Sequence, residues 1–80
     1  MPLMRAKMKV DRVERFEESE TLHMSAVCKP EGYPESGLDE DNTFATFTPS
    51  ADLTIHINNP ALVGKVKEGD AYYLDFTKAE

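Results

Sequence analysis

Met4, Ala6, Met8 and Val10 alternate with Arg5, Lys7 and Lys9. A period of two is the mark of a strand with one face in a core and the other in water. The apolar spacing then changes, because Val13 lies three residues beyond Val10 and Phe16 three beyond that. This predicts a β-bulge or bend near Asp11 and Arg12, with a helix over 10–16 as the competing reading. Residues 17–20, Glu-Glu-Ser-Glu, supply a charged break, and over 21–29 alternation resumes with Leu22, Met24, Ala26 and Cys28 on one side. The two stretches are predicted to form an antiparallel hairpin.

Further along, 43–48 (Thr-Phe-Ala-Thr-Phe-Thr) is β-branched and aromatic and predicts a strand by composition. Pro49 interrupts it, since proline lacks the N–H that a ladder needs. Leu53, Ile55 and Ile57 then share one face, opposite Asp52, Thr54, His56 and Asn58. Asn59-Pro60 has the form of a helix start, a side chain that caps free amides followed by a proline suited to the first helical position. One or two helical turns over 60–66 are expected to plug the end of the fold with Leu62, Val63 and Val66. Glu68-Gly69-Asp70 reads as a tight turn in which glycine adopts positive φ. The last strand, 71–77, places Tyr72, Leu74 and Phe76 inward and Tyr73, Asp75 and Thr77 outward.

Five strands and one short helical turn before the last of them predict an all-β domain, closed as a small five-stranded antiparallel barrel or folded as a two-layer sandwich. An OB-like barrel is the alternative, and it fits only if 43–58 is one long bent strand. Eighty residues make one domain, 1–80, near the size at which a single core is marginal. Self-association is therefore expected, through Tyr73, Val27 and whichever of Phe44 and Phe47 stays out of the core.

Composition narrows the chemistry. Residues 30–42 combine Pro30, Gly32, Pro34, Ser36 and Gly37 with five acidic residues, which predicts an exposed, mobile acidic loop. Asp39-Glu-Asp-Asn42 offers oxygens to a hard cation, but a loop starting at Asp39 has Phe44 and Ser50 where an EF-hand needs glycine and glutamate. Neither a metal nor another cofactor is expected. Cys28 is the only cysteine; this excludes an intramolecular disulfide and predicts a small buried hydrophobe. His23 and His56 both fall on polar faces, and no nucleophile, base and orienting group recur at useful spacing, so the chain reads as a non-enzyme.

The net charge of −6 is uneven, with Arg5, Lys7, Lys9, Arg12 and Arg15 concentrated in the first strand region. They lie on an outward face where the acidic loop can neutralise them, and the predominantly acidic remainder argues against nucleic-acid binding. There is no apolar run long enough for a membrane span, and the N-terminal residues lack a secretory apolar segment. A cytoplasmic site of synthesis is expected.

Taken together, Arg5-Ala-Lys-Met-Lys-Val10, Asn42-Thr-Phe44, Thr48-Pro-Ser-Ala-Asp-Leu-Thr54, Asn59-Pro-Ala-Leu62 and Gly69-Asp-Ala-Tyr-Tyr-Leu-Asp-Phe-Thr77 resemble a group of small proteins encoded by tailed bacteriophages and prophages. The resemblance implies a phage gene product and brings no reaction or catalytic residue with it. Two function classes are expected. One is a structural or assembly protein that self-associates or docks on a larger protein assembly. The other is a host-directed binder that sequesters a host protein or a small signalling nucleotide. The expected partner is protein: a second copy, a virion component or a host protein. The candidate interaction surface comprises Arg5, Lys7, Lys9 and Arg12 of the basic strand, Tyr33, Asp39, Glu40 and Asp41 of the acidic loop, and Tyr73 of the last strand.

Overall fold

In the computed structural model, which describes residues 2–29 and 32–80, the strands are β1 (Met4–Phe16), β2 (Ser19–Ala26), β3 (Asp52–Ile57) and β4 (Ala71–Phe76). They form one antiparallel sheet of order β3-β2-β1-β4. The chain is all-β as expected, but the sheet has four strands rather than five and stays open, so the barrel, the sandwich and the OB-like alternative are all overturned. Its Cα trace measures 48 × 33 × 15 Å, a slab one sheet thick with loops laid against it. Ala6, Met8, Val10, Leu22 and Met24 are its buried hydrophobic residues, with Val13, Phe44, Ala51, Leu53, Val66 and Leu74 among those packed round them.

The β1–β2 hairpin follows the sequence pattern closely. Val10 pairs with Met24 and Arg12 with His23, so the register slips by one residue at Asp11. Because side chains alternate every residue, that slip brings Val13 onto the face already occupied by Met8 and Val10. The helix over 10–16 does not form, since a strand here buries Val10, half-buries Val13 and keeps its ladder to β2, leaving only Phe16 of the three exposed. Past Val27, whose N–H still donates to the Lys7 carbonyl (2.9 Å), the two strands separate, and Cys28 is exposed rather than buried because its position lies beyond the paired part of β2.

The missing fifth strand is 43–48, which forms turns and bends. Its composition suits a strand, but tertiary contacts prevail. The side chain and backbone of Thr43 exchange hydrogen bonds with Arg5 of β1 (Arg5 N to Thr43 Oγ1, 2.8 Å; Thr43 N to Arg5 O, 2.9 Å). Phe47 takes a positive φ of 58° and lays its ring against Gly37. A Cβ at Gly37 would sit 2.6 Å from that ring, and Gly37 itself has φ 73°, so only glycine closes this loop without strain.

The helical turn expected over 60–66 is also absent. Asn59 does accept the Ala61 N–H through Oδ1 (3.0 Å), and its carbonyl accepts from Leu62 and Val63. Gly64, at φ 86°, then diverts the chain into turns before a helix can propagate, and so short a segment does not offset the cost of helix nucleation. Leu62 is left half exposed instead of plugging a core. The final turn forms as expected, with the Asp70 N–H bonded to the Lys67 carbonyl (3.1 Å) and the Lys67 N–H to Asp70 Oδ2 (3.0 Å).

Candidate functional site

The sheet presents two contrasting faces, and alternation along the four strands builds both. Arg5, Lys7, Lys9, Arg12 and Glu14 of β1 stand on the polar face beside Thr21, His23 and Ser25 of β2, Thr54 and His56 of β3, and Tyr73 and Asp75 of β4. The apolar face carries Ala6, Met8, Val10 and Val13, then Leu22, Met24, Leu53, Ile55 and Ile57, then Tyr72, Leu74 and Phe76.

On the polar face the basic strand and the acidic loop do meet, and they are bonded to one another. Lys7 Nζ lies 3.7 Å from Asp41 Oδ2, and the Tyr73 hydroxyl donates to Asp41 Oδ1 at 2.9 Å. Arg5 grips Asp75 with two nitrogens, Nε at 2.6 Å and Nη2 at 3.0 Å, while its guanidinium carbon sits 4.4 Å from the centre of the Tyr73 ring. This bidentate pair and the cation–π contact suit the planar arginine head. The hydrogen bond from Arg5 holds the Asp75 carboxyl below the usual carboxylate range, and Asp75 in turn raises Arg5. The bond to Asp41 raises the Tyr73 phenol.

Asp39 turns inward rather than standing on this surface. It is buried, with Oδ1 accepting the Asp41 N–H (2.9 Å) and Oδ2 the Asn42 side-chain amide (3.1 Å). Those two bonds, the Asn42 one first, depress its pKa. Asn42, only 1 % exposed, occupies the gap that opens where β2 leaves β1. Its Oδ1 accepts the Lys7 N–H (2.9 Å) and its Nδ2 donates to the Val27 carbonyl (2.9 Å). One side-chain amide thus replaces the peptide group of a missing strand.

The remaining predicted surface residues are scattered. Lys9 and Glu40 are exposed; Glu40 joins Lys7, Cys28, Lys29 and Asp41 around a concavity of about 300 Å³. Arg12 lies past the bulge, hydrogen-bonded to Glu14 (2.9 Å), which also contacts His23 (2.5 Å). His23 first, then Arg12, draws the Glu14 pKa down. Tyr33 belongs to the loop's own packing: its hydroxyl accepts the Lys29 N–H (3.1 Å) and its ring meets Phe47 edge-on at 6.3 Å. Pro30 and Glu31, also part of the predicted acidic loop, lie outside the described residues. Among the described residues no three His, Cys, Asp or Glu side chains converge to hold a metal ion. The Thr21–His56 contact, 2.8 Å between Oγ1 and Nδ1, is exposed, and among the described residues no carboxylate bonds to His56 to orient it.

The three comparisons, against protein-family models, curated proteins and solved structures, return no match to this chain.

The feature that sequence reasoning missed is the apolar face. It read Tyr72, Leu74, Phe76 and Ile55 as core, yet Ile55 is 43 %, Tyr72 41 % and Phe76 46 % exposed. Two apolar hollows open on this face, and Leu53 and Leu74 line both. One, about 260 Å³, is lined by Ala6, Phe44 and Phe76; the other, about 240 Å³, by Ile55, Val66 and Tyr72. Two ionisable side chains stand at the end of the face, Glu20 and its cross-strand partner Arg15, and of these Glu20 is sequestered while the Arg15 side chain is 57 % exposed. Glu20 falls in register with Leu22 and Met24, is only 1 % exposed, and accepts from the Gly64 N–H (3.1 Å) and Arg15 Nη2 (3.0 Å). The count of four strands, once 43–48 is removed, is the signal that would have pointed to an uncovered face.

Proposed function

We propose that this protein is a non-enzymatic, phage-encoded interaction protein with a structural or assembly role, and that it engages a protein partner through the apolar face of its sheet. The observation that carries the reading is the exposure of Ile55, Tyr72 and Phe76 on one face, over which no strand or helix among the described residues is laid. Sheets with an apolar face are stable when a second layer covers it, and an exposed apolar surface of this kind marks an interaction site. The polar face supports the same reading by its lack of spare chemistry. Arg5, Lys7, Arg12 and Arg15 each pair with a carboxylate, which leaves a nucleotide-sequestering role without convergent basic groups.

Quantitative mass spectrometry of purified virions and assembly intermediates tests the reading, comparing phage that carry the wild-type gene with phage that carry Ile55→Asp. The expected result is a chain that co-purifies with particles or intermediates and is depleted at least tenfold by the substitution. A wild-type chain absent from every assembly fraction overturns it.

A further inference from the structure

We infer that the occupant of the apolar face is a second copy of the same chain, the two sheets stacking face to face about a two-fold axis into a closed sandwich. This rests on the reading above that the apolar face is the interaction surface, and it names the partner.

Three observations carry it. The first is thickness. At 15 Å across its thin dimension the chain is a single layer, and among the described loop residues the hydrophobic ones packed against the core of the four-stranded sheet are Phe44, Ala51 and Val66. A second sheet stacks at ~10 Å and supplies what a sandwich requires. Among the described residues no helix or further strand could do so, whereas an identical copy brings a face of the same size, twist and apolar character.

The second is charge. The chain carries a net charge of −6, so two copies repel wherever their ordinary surfaces meet. The apolar face is the least charged, because the alternate positions of Met4 to Val10, Leu22 to Ala26, Leu53 to Ile57 and Tyr72 to Phe76 bring no ionisable carboxylate or ammonium group to it, and its charges, Asp52 beside one hollow and Arg15 opposite Glu20, stand at its border. Glu20 at its border is buried, with both oxygens bonded within the chain. A two-fold contact puts each patch against itself, and a patch that keeps its charges at the border is the one that tolerates this.

The third is area and relief. Ile55, Tyr72 and Phe76 at 43, 41 and 46 % exposure leave ~270 Å² open. The half-buried residues round them raise this to ~500 Å² per copy, or ~1,000 Å² for the pair, the size at which specific interfaces begin. The two hollows that Leu53 and Leu74 both line give each copy a surface into which apolar side chains of the other can settle.

Size-exclusion chromatography with light scattering over ~1 to 200 μM protein tests the inference on the full chain. The expected mass is twice the 9.0 kDa of the monomer, and Ile55→Asp should weaken the dimer at least tenfold. Thr54→Asp, one residue along on the opposite face, should leave it intact. Should Ile55→Asp fail to fold, the wild-type protein decides alone: the thermal midpoint of a dimer rises with protein concentration and that of a monomer does not. A monomeric mass together with a concentration-independent midpoint overturns the second copy as occupant. In that event, loss of Ile55→Asp from virion fractions would still uphold the interaction reading with another protein on the face, and no effect of the substitution there would remove both.

Discussion

Asn42 is the position at which a single truncation should cost most for its size. Its side chain is 1 % exposed and makes three hydrogen bonds: from the Lys7 N–H, to the Val27 carbonyl and to Asp39 Oδ2. Asn42→Ala removes all three. At about 1 kcal/mol net per bond the loss is ~3 kcal/mol. The main-chain partners are only part-buried, so water reaching the vacated site recovers some of this, and the expected range is about 2–4 kcal/mol. Against a total stability of roughly 5–15 kcal/mol for a small domain, that is a large fraction. Urea unfolding followed by far-UV circular dichroism, at one fixed protein concentration, should show the midpoint falling by ~2–4 M at a slope near 1 kcal/mol per M. Asn42→Asp sharpens the test, because it keeps the acceptor for the Lys7 N–H but places an oxygen opposite Asp39 Oδ2 and the Val27 carbonyl. At neutral pH it should destabilise at least as much as alanine. A loss under ~0.5 kcal/mol for Asn42→Ala, the level of an ordinary surface substitution, would refute the role of this amide as a strand surrogate. So would a milder effect from aspartate than from alanine.

Two further outcomes follow from the loop and the polar face. Gly37→Ala should lower stability by about 2–4 kcal/mol in the same unfolding assay, combining the strain of a side chain at φ 73° with a Cβ driven to 2.6 Å from the Phe47 ring. Gly32→Ala has a comparable φ of 85° but open space around the new Cβ, so it should cost about 1 kcal/mol, and equal losses at the two positions would remove the steric argument. Carboxyl NMR titration should find Asp39, Glu14 and Asp75 all below their ordinary values. A depressed folded pKa contributes stability that is complete above the unfolded value, near 4, and is lost as pH falls through the folded one, so these groups should weaken the fold only below about pH 4. Arg5→Met should return Asp75 toward the ordinary range while leaving Glu14 unchanged; an unmoved Asp75 would contradict the assigned cause.

The parts of the fold that were legible in the sequence are those decided by neighbours along the chain. The spacing from Val10 to Val13 located the bulge, the alternation in 52–57 and 71–76 assigned the correct faces of β3 and β4, and Lys67-Glu-Gly-Asp70 announced its turn. What could not be read was set by contacts distant in sequence. Thr43 and Phe47 look like strand residues, but their conformations answer to Arg5 and Gly37. The acidic loop looked like a solvated excursion, yet Asp39 and Asn42 within it are buried because β1 and β2 part at that point and leave a gap. Meeting of the basic strand with the acidic loop was anticipated from complementary charge. The open face was not, because an alternating apolar stripe has the same form whether the layer covering it comes from its own chain or from another.

The strand order has a consequence for how the molecule is made. β1 leaves the ribosome first and β4 last, yet they are neighbours, with Met4 opposite Phe76 and Lys9 opposite Ala71. β2 can join β1 across a two-residue turn as soon as both have emerged, but the other edge of β1 waits unpaired until the rest of the chain has been translated. Through that interval a row of free backbone groups is open to strands of neighbouring nascent chains, the usual beginning of edge-to-edge aggregation. Arg5, Lys7 and Lys9 alternate along that waiting edge, so two such edges approaching one another meet three positive charges each. The same side chains that later bind Asp75 and Asp41 thus keep unfinished chains apart on a polysome.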